Sequence, residues 1–290
     1  MKQSQGEKIF QYFDIFLILM SIAVIVFPLL NIVSISVSNV TSIVKGEVTI
    51  WPIGFNTAAY LKILSNDNFL RAMLNTVFIT ATTTFLSVLV TLMTAYGFTK
   101  EFLGKKIITY LFVASMYFGG GLIPTYIIYT KYLGMRNNYL VFILPCLVSV
   151  FYVIVVRSQI DTMPSSLLDA ACIDGANEFQ TLFNVVLPVI SPCLAAIAMF
   201  TALGQWNAWF SVMLYTDYPK FWTLQYFLRV IVFGQFLAAN EITTGAITDY
   251  IPEENYRMAA IIISAAPIIC IYPFVQKYFV KGLITGAVKG

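Results

Sequence analysis

The chain has 290 residues, of which 59% are hydrophobic and 11% charged, with a net charge of +3 and no histidine at all. About a quarter of the residues in a soluble domain are charged, so this composition belongs in a lipid bilayer. The small charge, without any long basic run, excludes nucleic acid as a partner, and the missing histidine removes the commonest metal ligand and general base.

A bilayer core takes about 20 apolar residues per helix. Six stretches qualify, at about 15–37, 72–97, 107–130, 138–157, 189–214 and 257–277. The expected fold is therefore an all-α integral membrane domain over residues 1–290 with six transmembrane helices. Lys2 and Lys8 precede the first stretch as they would a signal peptide. Its apolar run is too long for a signal core and ends in Ser34-Ile35-Ser36-Val37-Ser38 without a cleavage pattern, so it is read as a retained span. Pro28, Pro124 and Pro267 fall inside spans, where neighbouring helices satisfy the freed carbonyls. Lys and Arg divide almost evenly between the two sides, so the positive-inside rule alone leaves the orientation open. The segments 38–71 and 215–256 share one side and carry Trp51, Tyr60, Trp222, Tyr226, Tyr250 and Tyr256. Such rings anchor helices at the membrane interface; stacking on sugar faces is the second reading.

No Asp, Glu, Lys or Arg occurs between Ala72 and Thr99, Ile107 and Thr130, Asn137 and Val156, Phe179 and Thr216, or Met258 and Gln276. Proton-coupled transporters place ionisable groups within spans, so uphill transport by this chain would draw its energy from another subunit. The polar residues in the spans are neutral: Asn31, Asn75, Thr76, Thr80, Thr82 to Thr84, Gln205 and Asn207. Hydrogen bonding between helices explains the threonines. Gln205, Trp206 and Asn207 stand closer together, two amides and an indole that suit a neutral, hydroxyl-rich solute, and are candidate pathway residues. The four cysteines are scattered without metal-ligand spacing, and no metal or cofactor site is expected in this chain.

The most informative segment is the hydrophilic loop 158–188 between the fourth and fifth spans. Pro164 with Ser165 or Ser166 makes a helix start, and Asp169 follows Ser166 in capping-box spacing. Ala170 and Ala171 leave a bare patch for a partner's close approach. Asp174-Gly175 ends the helix. Phe179, Leu182, Phe183 and Val186 then recur as one apolar stripe expected to lie on the bundle, leaving Asp169, Asp174 and Glu178 exposed. Leu187-Pro188 is expected to turn the chain into the fifth span.

This loop resembles the E-A-A-x3-G-x9-I-x-L-P segment of permease subunits in binding-protein-dependent ABC importers. Here it reads Asp169-Ala170-Ala171, three residues, Gly175, nine residues, Val185-Val186-Leu187-Pro188, with Asp in place of Glu and Val in place of Ile. The run Phe118 to Tyr126, the Trp206-Asn207 pair and the ending Tyr272 to Gly290 are similar to sugar-importer permeases of the maltose type, closest to those for oligosaccharides or polysaccharide fragments. The likeness extends over essentially the whole chain.

The resemblance implies a bacterial cytoplasmic-membrane protein with both termini inside, and a coupling helix inserted into a cytoplasmic ATPase subunit. Asp169, Ala170, Ala171, Asp174, Gly175, Leu187 and Pro188 inherit the coupling role. Implied partners are a second permease subunit, two ATPase subunits carrying ATP and Mg, and an extracytoplasmic solute-binding protein delivering carbohydrate. This chain has no GxxxxGK[ST] loop and is expected to be a transport subunit, not an enzyme. The alternatives are an importer permease for a non-sugar solute such as a peptide or amino acid, and a membrane enzyme or passive channel.

Overall fold

A computed structural model describes residues 5–232 and 254–270, and every regular element among them is helical. In chain order these are α1 (Gln5–Ser36), α2 (Val40–Val44), α3 (Ala58–Leu64), α4 (Asp67–Thr99), α5 (Lys105–Tyr117), α6 (Leu122–Ile127), α7 (Leu140–Ile143) and α8 (Val150–Asp161). They continue as α9 (Ser165–Ile173), α10 (Glu178–Trp206), α11 (Phe210–Tyr215), α12 (Leu224–Val232) and α13 (254–270).

Among the described residues, three helical stretches are long and apolar enough to cross a membrane, Phe10–Ser36 in α1, all of α4 and all of α10. The count rises to five if the bent pairs α5–α6 and α7–α8 are each one span. The remaining expected stretch, 257–277, is helical as far as residue 270, and its last part lies outside the described residues, as do Tyr250 and the ending Tyr272 to Gly290.

The sequence pointed to one helix over 107–130, and the structure corrects this. α5 and α6, which continues as a wide turn over Ile128–Tyr132, meet at 109°. Phe118 is extended, and the glycines after it remove the side chains that would hold the chain helical, with Gly121 at φ +83°. α6 restarts with the Thr125 hydroxyl donating to the Gly121 carbonyl, 2.7 Å. The expected 138–157 span bends by 42°. There Pro145 interrupts the ladder and extended Ser149 accepts from the Tyr152 amide to start α8.

The chain divides into two compact units, 1–69 with 228–267 and 70–227 with 268–290. In the first, most of α1 turns apolar residues outward, and among the described residues it is its end that is held. Helices leave their last carbonyls unpartnered, and buried Asn255 of α13 donates to Ile35 O (2.7 Å), Ser36 O (3.2 Å) and Ser38 O (3.4 Å). Asn31 donates to Thr49 O at 2.8 Å, and Ser34 to Ile50 O. Ile35, Ile43 and Val48 pack with Met258 beneath these bonds.

In the second unit, α4, α8 and α10 share one hydrophobic core: Leu92, Ala95, Tyr96 and Phe98 against Val153, Val156 and Ile160, and against Leu182, Val186, Ile190, Leu194 and Ile197. A smaller core joins Ile79, Val141, Phe142, Val212 and Tyr215. Of the in-span polar residues of α4, two bridge elements as expected. Asn75 donates to Lys220 O and Trp222 O, each at 2.9 Å, and the Thr76 hydroxyl accepts from the Leu224 amide at 2.7 Å. Among the described residues the buried hydroxyls of Thr80, Thr83 and Thr84 find no hydrogen-bond partner, so the expected interhelical bonding is not seen for them.

Candidate coupling site

The loop builds its shape from local chemistry. α9 begins after Pro164, whose fixed φ suits a helix entry. No side chain caps it, so the capping box expected at Ser166 and Asp169 is absent. Asp169 lies one turn further in and is exposed. At the other end Gly175 takes φ +73°, the Ala176 amide donates to Ala171 O (3.0 Å) and the Gly175 amide to Cys172 O (3.1 Å). This pair of bonds is a Schellman closure, which needs a residue in the left-handed region. A Cβ built on Gly175 meets nothing within 4 Å, so its requirement for glycine is purely one of backbone conformation.

The capping box falls eleven residues later than expected, at Asn177 rather than Ser166. Asn177 accepts from the Gln180 amide (2.9 Å) and Gln180 Oε1 accepts from the Asn177 amide (2.8 Å), starting α10 at Glu178. From there the helix runs unbroken to Trp206. Pro188 therefore does not turn the chain into the fifth span; the span and the second loop helix are one rod. A proline inside a helix clashes with the carbonyl four residues back. Here the turn over Thr181–Val186 is wide, with the Leu187 amide reaching Leu182 O, which leaves room for the ring. At its far end the rod stops at Trp206 rather than running to 214, and α11 follows separately.

Two further expectations are corrected by burial. Ala170 is exposed, but Ala171 is buried at 7%, so the bare patch is one alanine wide. α9 lies against the wide turn of α10, and its inner face takes up Ala171. Of the apolar stripe, Leu182 and Val186 are buried while Phe179 and Phe183 stand at 65% and 39% exposure. Asp169, Asp174 and Glu178 are exposed as expected, and so is Cys172. The outer surface of the loop thus presents Asp169, Ala170, Asp174 and Phe179, an acidic rim around small and aromatic apolar contacts.

A cluster that the sequence reading did not single out lies at the foot of this site. The Tyr96 hydroxyl donates to Glu178 Oε2 at 2.5 Å, and Lys100 Nζ reaches Oε1 at 3.0 Å and Oε2 at 2.8 Å. The same ammonium stands 4.7 Å from the centre of the Tyr96 ring, within cation–π range. Tyr96 stands in the last turn of α4 and Lys100 directly follows the helix end. Burial alone would lower the Lys100 pKa, but the hydrogen bonds it donates to Glu178 and Tyr96 outweigh this and raise the ammonium above its ordinary value. The only sequence signal for this cluster was the spacing of Tyr96 and Lys100.

The pathway candidates are not gathered into one cluster. Trp206 is buried and its indole N–H has no partner among the described residues, Gln205 lies beside the Cys146 thiol, and exposed Asn207 donates to Leu203 O (2.9 Å), closing its own helix end. On this side of the second unit Asp217 holds Arg136 (2.7 Å) and Asn137 (3.0 Å). The Asn137 hydrogen bond, then that of Arg136, pull the Asp217 carboxyl below its usual range.

Residues 50–285 match the family described as the binding-protein-dependent transport system inner membrane component. The chain belongs to this family. It is a transport permease subunit rather than an enzyme. The permease is 32% identical over 274 residues to the polygalacturonan/rhamnogalacturonan transport system permease protein YtcP of Bacillus subtilis (strain 168), covering 94% of this chain and 96% of that one. It is 27% identical over 278 residues to the arabinooligosaccharides transport system permease protein AraQ of Halalkalibacterium halodurans, covering 91% of each. Among solved structures it resembles a chain of a bacterial ABC transporter involved in the import of the acidic polysaccharide alginate, with a TM-score of 0.87, 26% identity, and 96% and 99% of the two chains covered.

Proposed function

We propose that this permease forms half of the translocation pathway of an ATP-driven carbohydrate importer, with α9 as the helix that docks on an ATPase subunit. The observation that carries the reading is the match between motif and shape. Asp169, Ala170 and Gly175 stand on an exposed, closed-off helix, and Leu187-Pro188 lies within the rod that leads from it into the apolar core. Relatives named for polygalacturonan, rhamnogalacturonan and arabinooligosaccharide transport support carbohydrate, as oligosaccharides or polysaccharide fragments, as cargo.

The chain crosses the cytoplasmic membrane six times in this reading, counting α5–α6 and α7–α8 as one span each and residues 257–277 as the sixth. Both termini are cytoplasmic. Support for the sidedness comes from within the second unit. The Lys100–Glu178 contact brings the loop after α4, and with it Lys105 and Lys106 at the start of α5, to the same side as α9, which agrees with the positive-inside tendency. A second permease completes the pathway, two ATPase subunits bind below, and a solute-binding protein delivers the sugar from outside. ATP binding draws the docking helices together and biases the spans between two conformations. Gln205, Trp206 and Asn207 line or gate the pathway at the outer end of α10.

The test is to replace Asp169 by Ala in the full complex. ATPase subunits should co-purify less tightly, or sugar uptake per ATP should fall, while the spans stay folded. Full uptake with normal attachment would remove the coupling assignment.

A further inference from the structure

We infer that Tyr96, Lys100 and Glu178 form the joint through which movement of the docking loop is passed to α4. The inference rests on the coupling reading above and names residues outside the family motif. Glu178 is the first residue of α10, fixed there by the Asn177–Gln180 capping box, and so sits directly between the docking helix and the rod. Both of its oxygens are engaged at the end of α4, one by the Tyr96 hydroxyl in its last turn and both by the ammonium of Lys100 just beyond it, across 78 to 82 residues of chain.

Two features separate a joint from an ordinary staple. The ion pair is well exposed, with side-chain exposures of 44% for Lys100 and 68% for Glu178. Exposed pairs add little to folding stability, so it is dispensable for holding the bundle together. What holds the bundle is the hydrophobic core that Leu92, Ala95 and Tyr96 share with Leu182 and Val186. Packed cores move as bodies rather than deform continuously. A pin at the open end of that core keeps the inner ends of α4 and α10 in register when α9 is pushed. Without it, the end of α4 can lag behind the rod, and part of each ATPase stroke is lost.

The experiment uses the complete transporter in proteoliposomes, with sugar uptake and ATP hydrolysis measured together and ATPase co-purification as a control. Lys100→Glu and Glu178→Lys should each lower sugar moved per ATP by about two- to five-fold, the range set by an exposed pair. The ATPase subunits should remain attached, and the double exchange Lys100→Glu with Glu178→Lys should restore the ratio. Tyr96→Phe, which keeps the packing ring, should give a smaller loss in the same ratio. Unchanged ratios in the single variants, or loss without rescue in the double, would overturn the joint. Detachment of the ATPase in the single variants would also overturn it, by making Glu178 a docking residue instead. If Asp169→Ala in the same preparation leaves uptake and attachment intact, it is the docking reading that fails, independently of these outcomes.

Discussion

Replacing Gly175 by alanine isolates the backbone term of the loop. The residue sits at φ +73° with open space around the position a Cβ would take, so alanine brings no clash with a neighbour. The whole effect is the intrinsic penalty of a left-handed L-residue, about 1–2 kcal/mol. An energy of that size corresponds to a shift of roughly 5- to 30-fold in the equilibrium between closed and frayed loop. It should fall on the Schellman bonds of Ala176 and Gly175 and leave the α4–α8–α10 core untouched. Hydrogen exchange at residues 170–178 should therefore speed up by about that factor, while amides around Val156 and Ile190 keep their rates. Asparagine, which tolerates the left-handed region, should fall between glycine and alanine. Uptake per ATP should follow the same order. Equal exchange in all three proteins, or faster exchange spread through the core, would show that the loop is not held by this closure.

Further expectations follow from other contacts. Leu182→Ala cuts into the core beneath α9 and should lower the stability of the purified complex by about 2–5 kcal/mol, read as a lower midpoint on heating, whereas Phe179→Ala should barely move it because that ring is exposed. Asn255→Ala leaves the carbonyls at the end of α1 without their donor, at a cost of about 1–3 kcal/mol, visible as faster exchange near residues 36–40. Asp217 has its pKa depressed by Asn137 and Arg136, so its clamp is intact above the ordinary carboxylate range and is lost as pH falls through the depressed value; exchange at 133–139, corrected for intrinsic rate, should rise only there, and Asp217→Asn should raise it at neutral pH. Gln205→Ala should change the concentration dependence of uptake, and if affinity and rate both stay at parental values the pathway role is wrong.

The membrane character, the helical class and the docking segment were legible because each rests on composition or spacing. A charge-poor chain with repeated long apolar runs has few other options, and a glycine five residues after Ala170 announces a helix end. What escaped were features set by local competition along the backbone. Three glycines outweigh apolar continuity between Phe118 and Leu122, so one expected span is two helices at a steep angle. Ser166 and Asp169 had the spacing of a capping box, yet Pro164 already starts α9 and Asn177 with Gln180 makes the real box. Pro188 looked like a boundary, and the wide turn ahead of it absorbs its ring. The Tyr96–Lys100–Glu178 cluster joins positions about eighty residues apart, a pairing that single-sequence periodicity does not reveal.

The central claim is that α9 meets an ATPase subunit on its outer face. With exposed Cys172 first replaced by serine, cysteine placed at position 170, on that face, should cross-link to an ATPase subunit in the assembled complex, and cysteine at 171, turned into the core, should not. Cross-linking at neither position, or equal cross-linking from Asp217→Cys on the opposite side of the same unit, would contradict it.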